Sequence, residues 1–474
     1  MRIRPAWMWT AITLTGAAWT ALACGGDVAE QEGNAEVRVV HAAAGAPAVD
    51  VYLAGDEEPV VAGLAYGQAS GFAELPAGEL EFEIRPAGAG TSSDPIYSTG
   101  PLTIHAGSRV DAIAAGRLDG AGSDDAFRLL TLVEEAPASS DAALVRIVHA
   151  GADAPAVAID VGDDGAAEIE GLARFSDTGG EAIELPADTE LRIGILAGLP
   201  LSPVTSFTVP PLPAGHEALI VAAGLLSADP ADADGFSLLA FTPTASARIA
   251  QDPVVYALHA GPDAPAVDLY TPDTRPLALG LSFGHLSAGF RVAPRPQVIN
   301  VWPAGVEHGA APAAAATTPA LTAGQRYLVI ASGFLAPGEG EQAFGLVAAA
   351  VEFDREDGGA RVRLVHASPD APAVDVGTVH GDAFGALLAS DLSYGQTTPG
   401  KGVSVTQTPV NLGVAATGTA SIAARFDGVA IEPGARLFAV AAGTLAPAAG
   451  RESFRLIVVD AGAASWTATS IHPN

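Results

Sequence analysis

Four histidines, His41, His149, His259 and His366, recur at intervals of 108, 110 and 107 residues, each inside nearly the same phrase. The phrase reads VRVVHAAAGAPAVDV from Val37, VRIVHAGADAPAVAI from Val145, VYALHAGPDAPAVDL from Val255 and VRLVHASPDAPAVDV from Val362. A catalytic motif, a ligand site and a structural corner would all present this pattern. Imidazole with neighbouring carboxylate suits Zn²⁺ or another cation, which makes His41, His149 with Asp153, His259 with Asp263, and His366 with Asp370 the candidate ligands. The carboxylates do not keep the pattern, however. Gly45 stands where the other copies carry Asp153, Asp263 and Asp370, and Ala158 replaces the aspartate found at Asp50, Asp268 and Asp375. No second histidine or cysteine recurs at a ligand-like spacing, and His105, His216, His285, His308, His380 and His472 occupy non-equivalent places. The expectation is a structural corner histidine flanked by exposed turn aspartates, with no metal and no cofactor; Ca²⁺ or Zn²⁺ is the alternative.

Other chemistry is thinner. Acidic loops, DGAGSDDAF from Asp119 and SADPADADGF from Ser227, gather carboxylates of the kind Ca²⁺ binds, but Pro230 takes the first ligand position and no glutamate closes the loop. No G-x-S-x-G elbow, P-loop or H-E-x-x-H is present, so no catalytic residue and no enzyme is expected. A glycan platform would need exposed aromatic faces. Beyond the first 30 residues only Trp302 and Trp466 remain, and they are not equivalent; Tyr66, Phe175, Phe283 and Tyr394 are equivalent and read as packing at a strand end.

The elements that hold the phrase repeat with it. LAYG at Leu64 is answered at Leu172, Leu281 and Leu392, AAGRL ending at Leu118 is answered at Leu226, Leu335 and Leu445, and a last strand starts at Phe127, Phe236, Phe344 and Phe454. Within a unit Val37 and Val39 alternate with Arg38, and Val49, Val51 and Leu53 with Asp50 and Tyr52, the period of a half-buried strand. ALIVAAG and YLVIASG are nearly continuous apolar runs, as in a central buried strand. His41 then ends a strand on its core-facing side, and Pro47 fixes φ where no ladder bond is needed. Short strands, regular turns and no amphipathic helix predict an all-β chain of four tandem immunoglobulin-like sandwiches in a semi-rigid array; a β-propeller with two blades per repeat is the alternative.

The boundaries follow: signal peptide 1–23, flexible tether 24–35, repeats 36–135, 143–244, 253–353 and 360–460, and a C-terminal tail 461–474. The short stretches between repeats, among them ASARIAQ from Ala245, read as linkers that restrict the angles between domains. Arg2 and Arg4 precede a charge-free apolar run to Ala23, an export signal too short to make a stable membrane span. Cys24 is the one cysteine in the chain, so it makes no internal disulfide. With 23 Lys plus Arg against 54 Asp plus Glu, the net charge of −31 repels phosphate backbones and excludes nucleic acid as a partner.

Two resemblances follow from these residues. ALAC, ending at Cys24, resembles the lipobox of bacterial lipoproteins, which implies lipidation of Cys24; Ala21-Leu22-Ala23 equally fits an ordinary signal-peptidase cut that leaves no lipid. The phrase VHASPDAPAVDV is similar to the signature of the DUF4397 family, exported bacterial domains of unknown function that often occur in tandem, across all four units. That resemblance implies an extracytoplasmic β-domain and brings no catalytic residues. The function expected is a non-catalytic cell-envelope lipoprotein, held to the membrane by its lipid, at the outer membrane or cell surface or else secreted. It would serve in display, spacing or adhesion toward a cell-surface protein or matrix partner. A binding module for a cation, small ligand or glycan is the alternative.

Overall fold

The computed structural model describes residues 33–474 except 121, 135–140, 180–181, 244, 307–310, 355–357, 447 and 464. The signal peptide and Cys24 lie outside the described residues, as does most of the tether. Every described element is a strand, and among the described residues no helix is long and apolar enough to cross a membrane.

The first repeat contains β1 (Asn34–His41), β2 (Val49–Leu53), β3 (Val61–Leu64), β4 (Ala73–Pro76), β5 (Gly78–Leu80), β6 (Phe82–Pro86), β7 (Tyr97–Ser98), β8 (Leu102–Ile104), β9 (Arg109–Ala115) and β10 (Arg128–Glu134). Two sheets, β10-β9-β1-β4 and β3-β2-β6-β7, face each other, while β5 and β8 form a small separate pair. Val37 and Val39 from β1 meet Val49 and Val51 from β2, Phe82 and Ile84 from β6, and Val110 from β9 in one core. The alternation of β1 and β2 is the cause, since every second side chain points at the opposite sheet.

The other repeats build the same two sheets, and none closes into a barrel or propeller among the described residues. The sandwich is as expected from the sequence, but its strand order differs from the immunoglobulin one, in which the first two strands share a sheet. Here the corner after His41 carries the chain from one sheet to the other. β1 lies beside β9 in parallel, with Val37 opposite Val110 and His41 opposite Ala114.

The chain divides at Gln251 into two compact units, each holding two repeats. In the first unit the sheets containing β1 and its counterpart Ala143–His149 stand back to back. Val40, Ile113 and Ala115 of one repeat pack with Val148, Val221, Ala223 and Leu239 of the other. The second unit does the same with Leu258, Leu328 and Ile330 against Val365, Val440 and Ile457. Each unit is therefore four sheets deep with three apolar layers. β9 is buried along both faces from Val110 to Ala115, which is why it is apolar there except at Asp111, whose carboxylate pairs with Arg38 at 2.6 Å.

Two boundaries are corrected. Ala245–Gln251 is not a linker: Ser246–Ala250 pairs antiparallel with Ser237–Phe241 as a fifth strand of the inner sheet. The C-terminal tail likewise contains Thr467–Ile471, which pairs with Arg455–Asp460. Both segments alternate residues suited to an edge strand, and both cover the last strand of the second repeat of a unit.

Candidate functional site

The corner is built by its histidine. Nε2 of His41, His149, His259 and His366 lies 3.0, 2.8, 3.0 and 3.0 Å from the carbonyl oxygen of Pro47, Pro155, Pro265 and Pro372. A carbonyl only accepts, so Nε2 carries the proton and Nδ1 a lone pair. In three repeats that lone pair accepts the backbone N–H two residues on, from Gly151, Gly261 and Ser368, at 3.4, 3.2 and 3.3 Å. Burial depresses all four imidazoles below the ordinary histidine range and outweighs the carbonyl bond, which pulls the other way. These are neutral rings, spent on the backbone.

The first aspartate of the phrase is not an idle exposed turn residue, which corrects the expectation. Asp153 accepts the N–H groups of Leu226 and Ser227 at 2.7 and 2.9 Å. Asp263 does the same for Leu335 and Ala336, and Asp370 for Leu445 and Ala446. Each carboxylate thus pins the corner to the loop after the central buried strand. Burial opposes ionisation of Asp153, but the Ser227 and Leu226 donors prevail and hold its carboxyl below the usual range. In the first repeat Gly45 has no carboxylate to offer, and its N–H instead donates to Asp234 of the second repeat at 3.1 Å.

The second aspartate has its own task. Asp50 accepts Gly63 and Gly88 N–H at 2.7 and 2.8 Å, Asp268 accepts Gly280 and Gly305 at 2.6 and 3.0 Å, and Asp375 accepts Asp391 and Gly418 at 2.9 and 3.1 Å. The first donor of each pair sits at a register break in the neighbouring edge strand, in a left-handed conformation that favours glycine at Gly63 (φ +64°) and that Asp391 also adopts (φ +54°). The glycine of AAGRL is fixed by closeness as well as by a left-handed φ: a Cβ on Gly116 would strike the Ala126 carbonyl, and one on Gly333 the Ala343 carbonyl.

The equivalent aromatics are the residues whose place the sequence leaves half-read. Tyr66, Phe283 and Tyr394 meet their corner histidines edge-on at 6.1, 6.1 and 6.2 Å. They also reach the facing repeat. Arg128 of the first repeat lies 4.0 Å from the Phe175 ring of the second, Arg455 lies 4.9 Å from Phe283, and Tyr394 OH donates to Ser332 Oγ at 3.3 Å. The signal was there in their equivalence, but the facing repeat was not visible from the spacing.

Among the described residues no three His, Cys, Asp or Glu side chains converge as metal ligands do. In the first acidic loop Asp119 pairs with Arg117 at 2.7 Å, and in the equivalent loop of the third repeat Glu341 pairs with Arg451 at 2.6 Å. Cavities of about 40 Å³ beside His149 and about 60 Å³ beside His366 are walled by apolar side chains inside the sandwiches, too small and too dry for a polar ligand. Trp302 and Trp466 are both buried, so neither offers a face to a sugar.

Residues 35–160 and 253–377 each match the family described as Domain of unknown function (DUF4397). Each match starts at the first strand of a repeat and ends in the strand after the next corner, so it spans two copies of the phrase. Comparison with curated proteins finds no match. Among solved structures, the Bacillus anthracis TIE protein aligns with 84% of this chain and 66% of its own length, just under two thirds, at 10% identity and a TM-score of 0.14. So weak a likeness carries no argument.

Proposed function

The chain belongs to the DUF4397 family, and from that premise we propose that it is a non-catalytic cell-envelope lipoprotein that acts through protein surfaces, in display, spacing or adhesion. The observation that carries this reading is the employment of the phrase. All four histidines bond a corner carbonyl, and the phrase's aspartates bond backbone N–H groups, so the residues best suited to chemistry are occupied in holding the fold. The basic start, apolar run and Cys24 support export and lipid attachment. The outer membrane or cell surface is the expected location, and a surface protein or matrix component the expected partner.

Two measurements test it. Mass spectrometry of the N-terminal peptide should find Cys24 acylated, and Cys24→Ala should release the protein from the membrane fraction. Melting should be indifferent to chelator, Ca²⁺ and Zn²⁺, whereas a cation at 100 times its dissociation constant would add about 2.7 kcal/mol per site. Such a shift would replace this reading with that of a cation-binding module.

A further inference from the structure

The inner sheets of the four repeats do not end alike. In the second and fourth repeats the last ladder strand is covered by Ser246–Ala250 or Thr467–Ile471. In the first and third the chain leaves β10, or Gly345–Ala350, to begin the next repeat, and among the described residues no strand covers either edge.

The alternation of the ladder says which groups are left over. In the third repeat Val351 N–H donates to Arg326 C=O, so Leu346, Ala348 and Ala350 turn their own N–H and C=O groups away from the sheet. The equivalent residues of β10 are Leu129, Thr131 and Val133. Arg146 Nη1 donates to the Val133 carbonyl at 2.7 Å, and Arg363 Nη1 donates to that of Ala350. The remaining outward groups of both strands have no partner among the described residues. Burial follows the same division. Leu238 and Leu239 are 4% and 0% exposed beneath the extra strand, whereas Val133 on the open edge is 51% exposed and Leu129 and Leu130 are half-buried.

We propose that β10 docks with β10 of a second copy of this chain, antiparallel and centred on Thr131. The strand reads Arg-Leu-Leu-Thr-Leu-Val-Glu, and reversing it is self-complementary. Arg128 comes opposite Glu134, Leu129 opposite Val133, Leu130 opposite Leu132, and Thr131 opposite itself. Opposed charges at the ends and apolar pairs between them are the cross-strand combinations that stabilise sheets, with Glu134 shared between Arg128 of the second copy and its own Arg38 and Arg109. Because Thr131 turns outward, its N–H and C=O would bond their counterparts, with a further pair of bonds at each Leu129–Val133 match, where the Val133 carbonyl accepts Leu129 N–H with the lone pair that Arg146 leaves open. The contact is isologous and closes at two copies. It serves the role that Ser246–Ala250 serves within the chain, and it does not depend on the envelope role proposed above. Gly345–Ala350 carries no charge at either end, so it lacks this self-complementarity and serves as the control edge.

Sedimentation velocity on the full chain over a range of concentrations should show a monomer–dimer equilibrium. Thr131→Pro removes an outward N–H and leaves the β9 ladder untouched, so it should abolish the dimer with circular dichroism unchanged, whereas Ala348→Pro should leave the dimer intact. Thr131→Lys and Thr131→Glu place like charges at the two-fold, so each should be monomeric alone and form a heterodimer when mixed, which keeps the test open if the proline variant unfolds. A wild-type monomer at every concentration, a dimer lost through Ala348→Pro, or a Lys and Glu mixture that stays monomeric would overturn the assignment.

Discussion

His366 Nε2 lies 3.0 Å from the carbonyl oxygen of Pro372, and its Nδ1 accepts the Ser368 N–H at 3.3 Å. One ring therefore closes the corner from both sides, and the same ring in the other repeats bonds the equivalent proline. His366→Ala leaves a buried carbonyl and a buried N–H unpaired and opens a void under Tyr394, at a cost of about 2–3 kcal/mol. Urea unfolding should show the loss, and Zn²⁺ should not restore it. An unchanged midpoint would mean that the corner holds without its histidine.

Acid should find the histidines before the aspartates. The folded imidazoles sit below their unfolded value of about 6.5, chiefly through burial, with Arg174 adding to the depression at His149. At His259 Glu452 opposes it and His285 adds to it. The unfolded chain then takes up protons first, so their contribution is whole above about pH 6.5 and erodes below it, by at most about 1.4 kcal/mol per pH unit for each ring. Asp153 and Asp375 are held low in the folded chain, so their contribution persists above about pH 4 and fails below it. Denaturation midpoints against pH should fall in two stages. A profile flat from about pH 8 to 5 would contradict the neutral corner.

Much of this was legible in the sequence, and the omissions have one cause. Equal spacing exposed the repeats, and the alternation of Val37, Val39, Val49 and Val51 exposed the sandwich. What stayed hidden lies in contacts between distant segments. Asp153 meets Leu226 73 residues away, and turn composition near Asp153 carries no trace of that. The pairing of repeats left a fainter mark. Val40 and Val148 are apolar on the face that a lone sandwich leaves wet, and so are Ile113 and Ala115 of β9, so a third layer was required. Read as central strands of single sandwiches, the runs ALIVAAG and YLVIASG were explained too soon.

The second repeat offers a gain rather than a loss. Ala158 occupies the place of Asp50, and Gly171 stands where Gly63 donates to that aspartate, with φ of +68°, whereas the register puts Leu199 in the place of Gly88. Ala158→Asp should supply the missing Gly171 bond and raise stability by about 1 kcal/mol, since bonds to a charged acceptor are the stronger kind. Asp50→Ala should lower it by a similar amount. Both are read as shifts in melting temperature. A destabilised Ala158→Asp would show that the buried carboxylate finds no donors in that repeat.

The shared layer between repeats predicts that they unfold together. Leu239 is fully buried, and it belongs to the cluster that joins Ile113 of the first repeat to Val221 of the second. It touches both repeats, so removing its side chain weakens their union as well as the sandwich it belongs to. Leu239→Ala should cost about 2–5 kcal/mol, by lost transfer energy and by the cavity left behind. Differential scanning calorimetry should record the loss as a downward shift of one transition shared by residues 33–251. If the first repeat were independent, Leu239→Ala would split that transition and leave the half containing β1 and β9 melting at its original temperature. The fully buried Val40 and Ile113 argue against that outcome, because a first repeat standing alone would present both to water.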